Sequence, residues 1–198
     1  MSEQELLAAI NIPALPTLEG YLAPDTYLYP RDTSDLVFFR QAAKKMQTDI
    51  RTAWEQRAED LAISSPAEMV NLASIIEKET AHPSDRNSVA AVFHNRLKID
   101  MPLQTDPTVI YGMGETYRGN IRKVDLQTDT PWNTYTRRGL PATPIAMPGR
   151  AALLAAVQPA PTDALYFVSL NDGSGKSHFS NNLNAHNQAV QRYILKRP

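Results

Sequence analysis

Two carboxylates at the end of an apolar run are the residues of this sequence best suited to acid–base chemistry. In LASIIEKETAHP, residues 72–83, Glu77 and Glu79 directly follow an apolar segment. At about 100° per residue around a helix, Glu79 falls about 20° from Leu72, in the middle of the apolar face, and Glu77 falls about 140° from it. Burial favours the protonated form of a carboxyl and makes it a proton donor near neutral pH. We therefore predict that Glu79 points inward as a general acid and that Glu77 and Lys78 are solvated.

A glutamate in the last turn of a helix also has a simpler interpretation. Such residues are more often frayed and solvated than catalytic, and the negative end of the helix dipole is an unfavourable place for a carboxylate. Such an unfavourable position is unusual for a structural residue. The negative end of the helix dipole would, however, help to keep a functional carboxyl protonated. Periodicity alone leaves both interpretations of Glu79 open.

The composition is that of a globular protein, with 198 residues, 42% of them hydrophobic, and a formal net charge of −1. This length allows one large domain or a domain with a smaller appendage. The charge balance argues against nucleic-acid binding. The absence of cysteine excludes disulfides, thiolate zinc sites and thiol nucleophiles.

No apolar stretch reaches the roughly 18–20 residues that span a bilayer, and no signal peptide is recognisable. We therefore expect a soluble chain that could be part of a longer protein.

Apolar residues at helical spacing, followed by short strand-like segments, predict an α+β fold. The spacing predicts helices over residues 3–10, 34–58, 65–80, 84–97, 151–157 and 183–194, and short strands around 109–111, 164–170 and 178–180. Ser65 followed by Pro66 is typical of a helix start, and NDGSGKS is typical of a hairpin turn. Residues 131–149 are rich in proline and predict a long fixed loop.

Seven segments along most of the chain resemble one known family. They are, in order, ASIIEKET, VAAVFHNRL, MPLQTDPTVIYGMG, WNTYTRRGLPATPIAMPG, LYFVS, HFS and AHN. Over residues 17–194 the chain resembles the catalytic domain of the MltG/YceG family, which are membrane-anchored endolytic transglycosylases of bacterial peptidoglycan. The resemblance implies a helical lysozyme-like catalytic domain over 31–198, with 1–30 as the remnant of a small LysM-like region. It also implies a full-length protein anchored in the inner membrane, with the catalytic domain in the periplasm and the anchor missing from this chain.

The family resemblance also implies a reaction. The expected activity is a lytic transglycosylase that cleaves the β-1,4 bond between N-acetylmuramic acid and N-acetylglucosamine within glycan strands, leaving 1,6-anhydro ends and limiting strand elongation. One carboxyl suffices if it acts first as acid and then as base, whereas hydrolytic glycosidases usually need two. EKET, residues 77–80, is similar to the glutamate–serine pair of soluble lytic transglycosylases, which implies that Glu79 is the catalytic residue. No metal or cofactor is expected, and peptidoglycan synthases are the expected protein partners.

Other polar side chains are expected to contact the glycan or to brace Glu79. The candidates are Gln104, Thr105, Asp106, Asn133, Tyr135 and Asn95. Each has a structural alternative: Asp106 before Pro107 could simply form an Asx turn, and Asn95 could be a satisfied buried amide. His178 and His186 lack metal-ligand spacing and an adjacent acid, so we expect them to be structural.

Two other functions compete with transglycosylation. A non-catalytic module could bind peptidoglycan in the same cleft, or act as a scaffold for cell-wall synthesis enzymes. Family members have also been labelled aminodeoxychorismate lyases, which would require pyridoxal phosphate on a lysine. That activity is disfavoured because Lys78 falls on the solvent side of its helix and no glycine loop suited to phosphate precedes a helix.

Overall fold

The computed structural model describes residues 2–10, 17–80 and 82–196, and it confirms the α+β class. Within these ranges the helices are α1 (Glu3–Ile10), α2 (Asp35–Glu55), α3 (Pro66–Glu79), α4 (Arg86–Lys98), α5 (Asp106–Met113), α6 (Lys123–Gln127), α7 (Arg150–Val157) and α8 (Leu183–Tyr193). A short 3-10 turn covers Gly114–Thr116, and two strands are β1 (Tyr166–Ser169) and β2 (Ser177–Ser180). None of the helices in the described ranges is long and apolar enough to cross a membrane.

Helix α3 lies at the centre of the molecule. It begins as predicted, because the Ser65 hydroxyl accepts the Glu68 N–H at 3.2 Å and Pro66 occupies the first turn. Every residue of Met69–Ile76 is buried, since α2, α4, α5 and α7 all pack against α3. The helix is therefore enclosed on most sides, and its buried surface is wider than the single apolar face predicted from the sequence.

His94 joins α4 to its neighbours through both ring nitrogens. Its Nδ1 accepts the Ala62 N–H at 3.1 Å, and its Nε2 lies 2.8 Å from the Ala156 carbonyl oxygen, to which it must donate. The ring is therefore neutral, and burial lowers the pKa of His94. These bonds attach α4 to α7 and to the segment that precedes α3.

The predicted strand at residues 109–111 is wrong, because this segment lies within α5. The β-branched run around Val109 suggested a strand, yet Asp106 and Pro107 occupy the first helical turn, where both residue types are favourable. Val109 packs inward, 3% exposed, where α5 contacts α3. Tertiary burial of an apolar turn thus outweighs its strand propensity.

A two-stranded hairpin closes the C-terminal part of the fold. Strands β1 and β2 pair antiparallel with Phe167 opposite Phe179, which confirms the hairpin predicted around NDGSGKS. Phe93 of α4 meets Phe167 edge to face, with ring centroids 6.2 Å apart, so the hairpin is attached to the helical core. Helix α8 packs on both strands. Residues 131–149 form no regular helix or strand, as predicted.

The first 30 residues include a segment that packs directly on the core. Gly20 has φ 88°, and its α-carbon lies so close to Pro144 and Val70 that a Cβ would be 2.8–2.9 Å from their side chains. Ala23 belongs to the same buried cluster as α3. The division of the chain at residue 30 stays a prediction, and residues 11–16 of the predicted appendage lie outside the described residues.

Candidate active site

A cavity of about 450 Å³ opens at the C-terminal end of α3, and Glu79 lines it. The other residues that line the cavity are Phe93, Arg96, Leu103, Gln104, Thr105, Asp106, Tyr135, Tyr166, Phe167, Leu183, His186 and Asn187. They come from α4, the segment between α4 and α5, α5, the proline-rich loop, the hairpin and α8. The cavity therefore joins parts of the chain that are far apart in sequence.

Glu79 is the last residue of α3, and the helix stays regular up to it. Thr80 follows with φ −143° and ψ 128°, so the chain leaves the helix only after Glu79. The Glu79 side chain is half-buried, and burial raises the pKa of its carboxyl. The Thr105 hydrogen bond and the Arg96 charge lower that pKa, whereas the Asp106 charge raises it further. The net effect is a carboxyl that holds its proton more readily than an exposed one, as a general acid requires.

Thr105 is the direct hydrogen-bond partner of Glu79. Its hydroxyl donates to Glu79 Oε1, although the two residues belong to different elements. Two buried threonines hold Thr105 in place: its N–H donates to Thr134 Oγ1 at 3.1 Å, and its carbonyl accepts the Thr108 hydroxyl at 2.7 Å. Thr108 Oγ1 and Thr134 Oγ1 are themselves 2.9 Å apart. The hydroxyl predicted to contact a sugar is thus directed at Glu79.

Gln104, Asp106 and Tyr135 line the cavity beside Glu79, and their contact with a ligand stays a prediction. The Tyr135 hydroxyl donates to Asp106 Oδ1 at 2.6 Å. Burial, together with this bond to Asp106, raises the pKa of Tyr135, so the phenol remains protonated. Gln104 is exposed and has φ 48°, an unusual backbone conformation for a residue other than glycine. Its N–H donates to the Thr134 carbonyl at 3.1 Å, which fixes the turn that presents its side chain.

Asn133 and Asn95 do not line the cavity. Asn133 is 1% exposed, and its amide donates to backbone carbonyls of residues 125–128, with the shortest distance 2.7 Å. Its Oδ1 accepts the Tyr135 N–H at 2.9 Å, so it braces the backbone of a cavity residue. The Asn95 amide donates to carbonyls within residues 162–164, both at 2.9 Å. Both amides therefore hold loops in place, and Asn95 is a structural amide whose hydrogen bonds are made within the protein.

Arg96 is a cavity residue that the sequence reasoning missed. It is 8% exposed, and its guanidinium donates to the carbonyls of Leu165 at 2.7 Å and Leu103 at 2.8 Å. The same group lies 5.2 Å from the centre of the Tyr166 ring. One signal was available: Arg96 follows Phe93 by three residues, so it lies on the same face of α4 as a fully buried ring.

His186 also lines the cavity, although no feature of the sequence assigned it there. Its ring stacks on Tyr166, with centroids 5.1 Å apart and planes 23° apart. Burial lowers the pKa of His186, as do the nearby charges of Arg96 and His178, so the imidazole is neutral at physiological pH. Within the described ranges, no three His, Asp or Glu side chains are grouped in a way that could hold a metal ion.

Glu77 has a structural role that differs from the prediction. Its Oε2 accepts the Gly149 N–H at 3.0 Å, at the residue that caps the N-terminus of α7. A negative charge at a helix N-terminus is favourable. The prediction that Glu77 is solvated holds only in part, because the side chain is half-buried and hydrogen-bonded to Gly149. Lys78 is exposed, as predicted.

Sequence comparison identifies the family. The model of the YceG-like family matches residues 2–192, nearly the whole chain. The chain belongs to the YceG-like family. It is 38% identical over 178 residues to the endolytic murein transglycosylase of Bacillus subtilis and 31% identical over 183 residues to that of Streptococcus pneumoniae.

A solved structure has the same fold as this YceG-like chain. The crystal structure of a yceG-like protein from Listeria monocytogenes matches with a TM-score of 0.76 and 34% identity, covering 93% of this chain and 62% of that one. The two curated relatives are longer: the YceG-like chain covers 48% of the Bacillus protein and 32% of the Streptococcus protein. The chain thus belongs to the family and spans half or less of the length of either relative.

Proposed function

We propose that this YceG-like protein is an endolytic murein transglycosylase that cleaves the β-1,4 bond between N-acetylmuramic acid and N-acetylglucosamine inside peptidoglycan strands. The main support is Glu79, a half-buried carboxyl with a raised pKa in a polar cavity. The names of the Bacillus and Streptococcus relatives agree with this activity. The cavity is also open to solvent rather than enclosed, as binding of a long glycan strand requires.

In the first step the protonated Glu79 carboxyl gives its proton to the glycosidic oxygen. The bond between this oxygen and C1 of N-acetylmuramic acid breaks, and N-acetylglucosamine leaves with a free 4-hydroxyl. Positive charge develops at C1, and the neighbouring 2-acetamido group of the same sugar stabilises it. Glu79 is then a carboxylate, and the Thr105 hydroxyl, which donates to Oε1, stabilises that charge.

In the second step the Glu79 carboxylate acts as the base. It takes the proton from the 6-hydroxyl of the same N-acetylmuramic acid while that oxygen attacks C1. The product is a 1,6-anhydro sugar, and Glu79 is protonated again, so no water is consumed. The raised pKa of Glu79 suits both steps, because a carboxyl that titrates closer to neutral pH is a better base than an ordinary one.

Gln104, Asp106 and Tyr135 are the residues that we propose to contact the glycan. Their side chains line the cavity beside Glu79 and offer an amide, a carboxylate and a phenol to sugar hydroxyl and acetamido groups. Thr105 acts on Glu79, and Asn133 acts through the Tyr135 backbone, so neither is assigned a sugar contact. Asn95 holds the loop at residues 162–164 and also has no assigned contact.

Hydrolysis is the second candidate, because Asp106 lines the same cavity as Glu79. Two carboxylates could activate water instead of the 6-hydroxyl. Against this, Asp106 Oδ1 already accepts the Tyr135 hydroxyl at 2.6 Å, so that oxygen is less available as a base. A third function, binding of peptidoglycan without cleavage, would use the same cavity.

Digestion of purified peptidoglycan in heavy-oxygen water separates these functions. A transglycosylase releases anhydro-muropeptides without heavy oxygen, whereas a hydrolase releases reducing ends that carry it, and mass spectrometry distinguishes the two products. Binding without either product would favour the non-catalytic module. The digestion should include the endolytic murein transglycosylase of Bacillus subtilis as a positive control, because this chain covers 48% of that relative.

The proposed substrate determines where the protein works. Peptidoglycan lies outside the cytoplasmic membrane, so the proposal includes action in the bacterial cell envelope, with peptidoglycan synthases as protein partners. The predicted catalytic domain, residues 31–198, contains all the residues assigned a role here. The predicted LysM-like character of residues 1–30 remains part of the proposal.

A further inference from the structure

Arg96 is a buried cation for which the described residues provide no ion-pair partner. It is 8% exposed, and none of the ion pairs within 4 Å in the described ranges includes it. An arginine stays charged at any physiological pH, and burying a charge without an ion pair is costly. A cation retained at this cost suggests a role that depends on its charge.

The guanidinium of Arg96 is fixed by backbone carbonyls. Nε donates to Leu165 at 2.7 Å, and Nη1 donates to Leu103 at 2.8 Å and to Pro102 at 3.3 Å. Nη2 makes no hydrogen bond to the part of the chain that the structure describes. Because Pro102 and Leu103 directly precede the turn at Gln104, the same bonds anchor the segment that carries Thr105.

The charged and titratable groups that line the cavity with Glu79 come from five other elements. They are Arg96 on α4, Asp106 on α5, Tyr135 in the proline-rich loop, Tyr166 on β1 and His186 on α8. On α3 itself, Lys78 is exposed and Glu77 is bound to Gly149. Tyr135 stays protonated and His186 neutral, and the two groups whose charges act on Glu79 are Arg96 and Asp106. They act in opposite directions: Asp106 favours the protonated carboxyl, and Arg96 favours the carboxylate.

We propose that Arg96 is a positioning residue for Glu79, whose fixed charge stabilises the carboxylate in the half of the reaction in which Glu79 accepts a proton. The inference rests on the proposed function for its role in catalysis. Burial and Asp106 make Glu79 an acid, and the single carboxyl must also become a base. The Thr105 hydrogen bond and, to a smaller extent, the Arg96 charge oppose these two influences, so that the carboxylate can still form. Its bonds to Pro102 and Leu103 give it a second, structural role, which the test must separate from the charge.

A titration of Glu79 tests the charge directly and needs no substrate. Protein labelled with carbon-13 at the glutamate side-chain carboxyl is titrated by NMR, and the Glu79 signal is assigned by its loss in Glu79→Gln. We expect a higher titration midpoint for Glu79 in Arg96→Gln than in the wild type. Arg96→Lys, which keeps the charge, is expected to leave the midpoint close to that of the wild type.

Anhydro-muropeptide release measures the catalytic consequence. We expect Arg96→Gln to lower the rate on the order of 100-fold, as for loss of other fixed electrostatic groups in active sites. Arg96→Lys should recover a large part of that loss. A structural role alone would lower activity and melting temperature in both variants and leave the Glu79 midpoint unchanged.

Three results would overturn the inference. One is an unchanged Glu79 midpoint in folded Arg96→Gln, and another is an equal rise in Arg96→Gln and Arg96→Lys. If Arg96→Gln does not fold by circular dichroism, Arg96→Met takes its place as the neutral variant, and a Glu79 midpoint no higher in Arg96→Met than in Arg96→Lys contradicts the inference. If wild-type protein releases no anhydro product, the proposed function fails, whereas the titration still reports on Arg96.

Discussion

Thr105 donates its hydroxyl hydrogen to Glu79 Oε1, from a position 26 residues further along the chain. Thr134 and Thr108 hold the donor from two sides, and all three threonines are buried. The Glu79 carboxyl thus has a fixed orientation that does not depend on a bound ligand. This contact makes Thr105 the residue whose change should affect Glu79 most directly.

Replacement of Thr105 by valine should impair catalysis while keeping the side-chain shape. The hydrogen bond lowers the pKa of Glu79, so its loss should raise that pKa and move the alkaline limb of the pH profile of kcat/KM to higher pH. Because a hydrogen bond to a charged group contributes about 1.5–3 kcal/mol, the rate should fall about tenfold or more. Thr105→Ser, which keeps the hydroxyl, should behave nearly as the wild type. An alkaline limb that does not move in Thr105→Val would show that the bond does not affect Glu79.

The half-buried Glu79 carboxyl should make the protein less stable near neutral pH. Burial raises the pKa of Glu79 in the folded state, so its stabilising contribution is present below the unfolded pKa of about 4.3 and is lost as pH rises through the folded pKa. Glu79→Gln avoids this loss. We expect its melting temperature to exceed that of the wild type by more at pH 7 than at pH 4, as measured by calorimetry. Equal differences at both pH values would contradict a raised pKa.

His94 should make the fold sensitive to acid. Its pKa is lowered by burial in the folded state, so the unfolded chain binds the proton more readily. Stability is therefore present above the unfolded histidine pKa of about 6.5 and is lost as pH falls below it. His186 contributes with the same sign. Urea unfolding between pH 7 and pH 5 should show a smaller loss of stability for His94→Gln than for the wild type; an equal loss would exclude His94 as its source.

The sequence predicted the elements better than the contacts between them. Glu79 could be assigned to the inner side of α3 because helical periodicity and the end of the helix before Pro83 are local properties. Glu77 could not be assigned, because its partner Gly149 is 72 residues away. Arg96 was missed for a similar reason: its partner carbonyl at Leu165 is 69 residues along the chain. A residue's type shows what it can donate, and the tertiary fold decides where the acceptor lies.

The polar residues predicted for substrate contact illustrate the same limit. Gln104, Asp106 and Tyr135 do line the cavity, whereas Asn133 and Asn95 bind backbone carbonyls elsewhere. An asparagine amide fits a sugar and a backbone carbonyl equally well. The sequence therefore identifies polar segments near the cavity and cannot say which side chain is already satisfied by the protein.

Substitution of Gly20 tests whether residues 17–23 pack as part of the folded domain. Its φ of 88° and the close approach of Pro144 and Val70 leave no room for a Cβ. Gly20→Ala should reduce the free energy of unfolding by about 1–3 kcal/mol, because both strain and overpacking are introduced. Gly119→Ala is the matched control, since Gly119 has the same φ of 88° and a Cβ there would meet nothing within 4 Å. A cost for Gly20→Ala no larger than that for Gly119→Ala would mean that residues 17–23 do not pack tightly on the core.

The most direct test of the catalytic assignment compares Glu79→Gln with Glu77→Gln in the digestion of peptidoglycan. Both variants replace one carboxylate of the same helix end, yet Glu79 lines the cavity and Glu77 accepts the Gly149 N–H outside it. We predict that Glu79→Gln lowers the release of anhydro-muropeptides by about 100-fold or more, whereas Glu77→Gln retains most of the activity with a somewhat lower melting temperature. Full activity in Glu79→Gln, together with its loss in a folded Glu77→Gln protein, would contradict the assignment of Glu79 as the catalytic acid and base.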